Sequence, residues 1–150
     1  MPQSFTSLHY HIIFSTKDRV ASITHDVQQR LYDYMGGIVR AQDGKLIAAG
    51  GTADHVHLLV SLGKQIALAD VVRNIKSNSS KWVKETFPTQ GAFAWQTGYA
   101  AFTVSLSSQS HVKRYIANQA EHHRTRSFGE ELIEFLKRHE IPFDERYLAG

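Results

Sequence analysis

Two short groups of residues in this chain can carry chemistry. The first is His55-Val56-His57, running on into Leu58-Leu59-Val60. Side chains alternate faces along a strand, so His55 and His57 point one way and Val56 the other. Two imidazoles about 6.6 Å apart along a strand can converge on one metal ion. The second is Tyr115 with Gln119, in Val112-Lys113-Arg114-Tyr115-Ile116-Ala117-Asn118-Gln119. Residues four apart share a helix face, so Tyr115 and Gln119 would stand side by side, flanking Val112 and Ile116, with His122 one turn further. A tyrosine hydroxyl is a nucleophile, and a glutamine carbonyl is a neutral oxygen ligand for a hard cation. Two His nitrogens and a Gln oxygen can hold Mg2+ or Mn2+ and leave positions open for a scissile phosphate, whose oxygens the ion would polarise. Attack of the tyrosine on phosphorus would give a covalent phosphotyrosine that keeps the bond energy for rejoining. A mixed His/Gln set suits Mn2+ somewhat better than Mg2+, which is usually held by carboxylates, so the ion stays open.

Each group has a plainer alternative. His-x-His also occurs in strands as a satisfied or exposed pair, and Asp54 before it is a common turn residue. Tyr115 can pack at a core edge while Gln119 faces solvent. Tyr10 and Tyr99 rival Tyr115 by residue type, but both fall in aromatic-rich runs that packing explains. Trp82 shares an apolar stripe with Ile75 and is assigned to the core rather than to base stacking. His122 and His123 receive no catalytic role.

These groups need a scaffold. Residues 6–16 are rich in β-branched and aromatic residues and read as a strand. Thr24 is a candidate cap for a helix whose Val27, Leu31, Met35, Ile38 and Val39 follow helical spacing, until Gly44. Residues 45–50 and 55–62 read as two strands around Gly50-Gly51-Thr52-Ala53-Asp54. The segment 67–86 is an amphipathic helix, with Leu68, Val71, Val72, Ile75, Trp82 and Val83 on one face and cations on another. Residues 93–105 read as a fourth strand interrupted near Gly98, followed by a helix at about 109–123. Ser127 and Glu130 form a capping-box pattern before a last helix bearing Leu132, Phe135 and Leu136, ended by Pro142. The order predicts an α+β fold of ferredoxin-like βαββαβ type, with an antiparallel sheet and additional C-terminal helices, in one domain over residues 1–150. Such a small sheet needs one face covered, by the last helices of this chain or of a partner.

Composition sets the outer bounds. A 150-residue chain with 42% hydrophobic and 21% charged residues has enough apolar material for a real core. The absence of cysteine excludes disulfides, thiolate metal sites and a cysteine nucleophile. No stretch reaches the length of a membrane span, and the first residues lack the apolar core of a signal peptide, so a cytoplasmic protein is expected. Net charge is +3, yet the basic residues gather in two segments. Lys64, Arg73, Lys76, Lys81 and Lys84 oppose only Asp70, and Lys113, Arg114, Arg124 and Arg126 oppose only Glu121. A polyanion can dock on such segments, and solvated helix faces carry the same charge.

His55-Val56-His57 has the HUH form (His, hydrophobe, His). With Tyr115-x-x-x-Gln119 in a later helix, the chain resembles the single-tyrosine HUH transposases of small bacterial insertion sequences, the IS200-like family. The flanking words agree: Tyr10-His11-Ile12-Ile13-Phe14-Ser15-Thr16-Lys17, Asp54-His55-Val56-His57-Leu58-Leu59 and Lys76-Ser77-Asn78-Ser79-Ser80-Lys81-Trp82. Trp95-Gln96-Thr97-Gly98-Tyr99-Ala100-Ala101-Phe102 and Tyr115-Ile116-Ala117-Asn118-Gln119-Ala120-Glu121-His122-His123 follow. The likeness covers about residues 5–147. Ala100 departs from it, standing where the family has glycine, and the long basic tail of the repeat-palindrome-linked relatives is lacking. The resemblance implies that His55, His57 and Gln119 are metal ligands for Mg2+ or Mn2+ and that Tyr115 is the nucleophile. It also implies cleavage of single-stranded DNA at hairpins, and a homodimer in which the tyrosine helix of one subunit can complete the other's site. Lys76, Lys81, Arg114 and Arg124 are candidate phosphate contacts. Two rivals differ in class: a non-catalytic nucleic-acid-binding module, and a cupin-like metal oxygenase, which the helical periodicity at 24–41 and 67–86 opposes.

Overall fold

A computed structural model describes residues 3–147. Its elements run β1 (His9–Ser15), α1 (His25–Ala41), β2 (Lys45–Gly51), β3 (His55–Ser61), α2 (Leu68–Thr86), β4 (Ala100–Thr103), α3 (Gln109–Ala117), α4 (Gln119–His122) and α5 (Phe128–Arg138). The strands form one antiparallel sheet in the order β2-β3-β1-β4. This is the expected α+β arrangement, ferredoxin-like with helices added after β4. It excludes the strand-rich barrel a cupin-like oxygenase needs.

Period-two alternation divides the sheet into two faces. Ile12 and Phe14 of β1, with Val56, Leu58 and Val60 of β3, form the main core with α1 and α2. The helices contribute Val27, Leu31, Met35 and Val39, then Val71, Val72, Ile75 and Val83. Those positions recur at three and four residues, which is why the two helices bury one stripe each. Trp82 lies half-buried between them, stacked on Tyr34 with ring centres 4.7 Å apart. Thr24 occupies the N-cap position of α1, but its hydroxyl engages Asp26 rather than a helix N–H.

The opposite face carries His11 and Ile13 of β1 and His55, His57 and Leu59 of β3. Strand β3 is therefore buried on both sides, and His55 and His57 are fully buried. The cover comes from the same chain. Ile116 of α3 packs with Leu59, and Phe128, Leu132 and Leu136 of α5 pack with Ile13 and Phe102. At Gly50 the main chain of α3 comes so close that an added Cβ would lie 2.3 Å from the Ile116 carbonyl oxygen.

Three elements differ from expectation. Only residues 100–103 of the expected fourth strand pair with β1, and the rest carries a single bridge, Thr16 to Trp95. The aromatic residues that mimic a strand there fill the core instead. Trp95 meets Phe14 edge-on at 4.8 Å, and its indole N–H donates to Ser79 Oγ at 2.9 Å. Gly98, at φ +85°, then turns the chain into β4. The helix expected over 109–123 breaks at Asn118, whose φ and ψ are −102° and 25°. Helix α5 closes at Arg138, before Pro142, with Glu140 in the left-handed region at φ 57°.

The capping box at α5 is present. Ser127 Oγ accepts from the Glu130 N–H at 3.2 Å, and the Glu130 carboxylate accepts from the Ser127 N–H at 3.1 Å. Ser127→Ala should cost about 1 kcal/mol and lower Tm by roughly 2–4 °C in a thermal melt. An unchanged melt would show that α5 is held by its apolar face alone.

Candidate metal and nucleophile site

Strand β3 presents His55 and His57 to the face under α3, α4 and α5. Both Nδ1 atoms are occupied. His55 Nδ1 lies 2.7 Å from Asp54 Oδ1 and 3.0 Å from Thr52 Oγ1. His57 Nδ1 lies 2.8 Å from Nε2 of His11, the buried neighbour on β1. Both Nε2 atoms face inward, where His55 Nε2 is 2.9 Å from Gln119 Oε1. His57 Nε2 is 2.9 Å from Oε1 of Glu131, which α5 projects into the site.

The break at Asn118 does not separate Tyr115 from Gln119, because both reach Glu131. The Tyr115 hydroxyl donates to Glu131 Oε2, and Gln119 Nε2 donates to the same oxygen at 3.2 Å. Arg126 Nη2 donates to the tyrosine oxygen at 2.6 Å. His122 stacks on the phenol with ring centres 4.4 Å apart, and the His57 ring stands 5.8 Å away. The nucleophile candidate thus sits against the histidine pair of its own chain. Tyr10 and Tyr99 stand elsewhere, Tyr10 against the main core and Tyr99 exposed on the loop before β4.

Burial and these partners set the charges. Burial pulls His57 down to about 4, against the opposing hydrogen bond and charge of Glu131. Burial, then the neighbouring His57, pull His11 down to about 3. Both are therefore neutral near pH 7. For Glu131 burial opposes ionisation, but the hydrogen bonds from His57 and Tyr115 outweigh it and hold the carboxyl well below its ordinary range. Burial raises the Tyr115 hydroxyl, and its hydrogen bond to anionic Glu131 raises it further. The phenol is held protonated and aimed.

Sequence reasoning singled out His55, His57, Tyr115 and Gln119, and the structure brings all four together. It missed three groups: His11, His123 and Glu131. His123 Nε2 is 3.1 Å from Glu131 Oε1. Glu131 had a legible signal, since it lies with Phe128, Leu132, Phe135 and Leu136 on the apolar stripe of α5, where an unpartnered acid does not belong. One donor atom from each of His55, His57, His123 and Glu131 lies within 4.8 Å of the others. This donor set, buried and rich in imidazole, fits a divalent ion.

The four expected phosphate contacts are dispersed. Arg114 is exposed on α3 beside Tyr115. Arg124 is exposed and paired with Glu121 at 2.9 Å. Lys81 is exposed on α2, across the sheet from the tyrosine. Lys76 is half-buried on α2 and donates to the carbonyls of Gln96 and Gly98, each at 2.6 Å, tying down the loop before β4. A cleft opens beside Tyr115, bordered also by His11, His111, Arg138 and His139. Among the described residues, no helix is long and apolar enough to cross a membrane.

A family model described as IS200-like transposase matches residues 4–119. The ISDra2 transposase TnpA of Deinococcus radiodurans is 29% identical over 117 residues, covering 75% of this chain and 84% of that protein. A crystal structure of a Deinococcus radiodurans R1 protein assigned as a transposase superposes with a TM-score of 0.65 at 28% identity. It covers 79% of this chain and 98% of that one. A REP-associated tyrosine transposase, solved bound to a REP hairpin, shares the fold with a TM-score of 0.60 at 13% identity, over 87% of this chain and 78% of that one.

Proposed function

The chain belongs to the IS200-like transposase family, and from that premise we propose that it cleaves and rejoins single-stranded DNA at hairpin-marked element ends, with Tyr115 as nucleophile. The observation that carries this reading is the convergence of the Tyr115 hydroxyl, His57 and Gln119 on the buried Glu131 carboxylate, with His55 held to the same group through Gln119. Tyrosine oxygen forms a bond to phosphorus while the bond from phosphorus to the 3′ oxygen breaks. The phenolic proton leaves along its hydrogen bond to Glu131, which does not keep it, and is passed on to the departing 3′ oxygen, which becomes a hydroxyl. The DNA is left joined to Tyr115 through its 5′ phosphate, and return attack by a 3′ hydroxyl reverses the step, so no nucleotide cofactor is required.

His55 Nε2, His57 Nε2 and Gln119 Oε1 would hold Mg2+ or Mn2+, which would supply Lewis-acid polarisation of the phosphate oxygens. Asp54 and His11 fix the two imidazole rings from behind, so their orientation is set before substrate arrives. The cleft beside Tyr115 gives a strand a route to the hydroxyl. Arg114 and Arg124, both exposed, would contact phosphates, as would Lys81 for a hairpin reaching around the sheet edge and Lys76 beside the loop it holds. Such contacts add salt-dependent affinity. The single domain over residues 1–150 would act in the cytoplasm as a homodimer, with exchange of the tyrosine helix delivering the partner's α3 to the same seat.

The test is incubation of the protein with a labelled hairpin strand and Mn2+ or Mg2+, followed by denaturing electrophoresis. A labelled band at the mass of protein plus DNA is expected, and it should disappear when EDTA is present. Tight hairpin binding with no adduct in either metal would overturn the catalytic reading in favour of a binding module.

A further inference from the structure

His123, Glu131 and the hydrogen bonding around them are not explained by a His55–His57–Gln119 ligand set. Building on the metal site proposed above, we infer that His123 Nε2 and Glu131 Oε1 join His55 and His57 around one ion. This makes a three-histidine, one-carboxylate centre that takes a first-row transition ion such as Mn2+, Co2+ or Zn2+ in preference to Mg2+.

The hydrogen-bond partners assign the donors. His55 Nδ1 faces the Asp54 carboxylate, which only accepts, so Nδ1 carries a proton and Nε2 is the nitrogen left for a metal. His123 Nδ1 lies 2.9 Å from the Arg126 carbonyl oxygen, which also only accepts, so its Nε2 is likewise the nitrogen left for a metal. That His123 Nε2 is buried with no hydrogen-bond partner, on a side chain only 10% exposed, and lies 3.1 Å from Glu131 Oε1. The Gln119 amide donates through Nε2 to Glu131, which turns its Oε1 toward His55 Nε2. Two nitrogen–oxygen contacts, His55 Nε2 with Gln119 Oε1 and His123 Nε2 with Glu131 Oε1, therefore lie side by side inside a buried site. At low dielectric a cation among these atoms is attracted by each.

The three imidazoles also share the arrangement that ligating histidines adopt. Each has its Nδ1 anchored from outside, by Asp54, by His11 and by a backbone carbonyl, and each presents Nε2 inward. Metal bonds of about 2.1 Å put neighbouring ligand atoms roughly 3.0–3.5 Å apart. Glu131 Oε1 lies 2.9 Å from His57 Nε2, 3.1 Å from His123 Nε2 and 3.6 Å from His55 Nε2. Gln119 Oε1 stands at the edge of this group as an additional oxygen. Mg2+ favours oxygen ligands and keeps its waters, whereas imidazole-rich sites suit the later first-row ions.

The experiment is calorimetric titration of the full chain with Mn2+, Zn2+ and Mg2+, together with the visible absorption spectrum of the Co2+ complex. Wild type should bind Zn2+ and Mn2+ at least ~100-fold more tightly than Mg2+ and give a Co2+ ligand-field band. Glu131→Gln and His123→Gln should each lose about 100-fold in Zn2+ affinity and shift that band. Circular dichroism checks that each variant folds. If Glu131→Gln does not fold, His123→Gln at the rim decides by the same readout. Unchanged or tighter binding by the folded variants would overturn the inference, since Glu131 would then occupy the ligand space that the ion must clear. Absence of any heat or band from wild type would overturn the metal reading of the function as well, which separates the two failures.

Discussion

Tyr115→Phe should leave hairpin binding within about twofold of wild type and lower the yield of covalent adduct by at least ~1000-fold. The substitution deletes one oxygen. Phenylalanine keeps the ring that stacks on His122 and stands near His57. What is lost is the only atom proposed to bond to phosphorus, so no residual nucleophile is in place. The change also releases the hydrogen bonds to Glu131 and from Arg126. Arg126 retains Glu134, so it is not stranded. The measurement pairs a gel-shift titration with denaturing electrophoresis of the same reactions. Adduct of undiminished yield would move the nucleophile elsewhere, and Tyr99, exposed on the loop before β4, would be the next variant to make.

Gly50→Ala should lower stability by about 1–3 kcal/mol, through overpacking, and reduce adduct yield roughly 100-fold, through misplacement of the tyrosine. Gly50 pairs with His57 across the sheet, and α3 rests on it. A methyl group there would lie 2.3 Å from the Ile116 carbonyl oxygen and 2.9 Å from its Cγ2. The first of these neighbours is helix backbone, which cannot rotate away, so α3 must lift. Ile116 follows Tyr115 directly, and the hydroxyl moves with it. Gly37→Ala is the matched control. It lies inside α1 with nothing within 4 Å of the added carbon, so it should raise stability by about 0.5–1 kcal/mol and leave the adduct unchanged. Thermal melts read the first effect and adduct assays the second. Wild-type yield from folded Gly50→Ala would mean that Tyr115 does not act from the seat it occupies here.

Much of the scaffold was legible because it is periodic. The stripes on α1 and α2 and the alternation in β1 and β3 each repeat often enough to specify element and buried face. The region before β4 was misread because Phe93 and Trp95 look like strand residues while their burial comes from Phe14 and Ser79, far away in the chain. At the site, His55, His57, Tyr115 and Gln119 were visible because each pair is local in sequence, two or four residues apart, even though the break at Asn118 divides Tyr115 from Gln119. Glu131 and His123 were not, since what gives them meaning is contact with residues 74 and 68 positions earlier. A glutamate inside the apolar stripe of α5 was a local contradiction, and contradictions of that kind mark sites.

The histidine face is covered in part by Ile116 and Gln119 and in part by α5, which lies after the residues 4–119 that the family model matches. Ile13 and Phe102 draw their apolar cover from Phe128, Leu132 and Leu136, and His57 its inward partner from Glu131, all on α5. Relatives that share the first 119 positions can therefore inherit the strand histidines and the tyrosine while differing in what shields them from water. Homology over that shared segment is then a poor guide to the polarity of the site, and the residues after 119 are the ones to compare when two such proteins differ in their choice of ion.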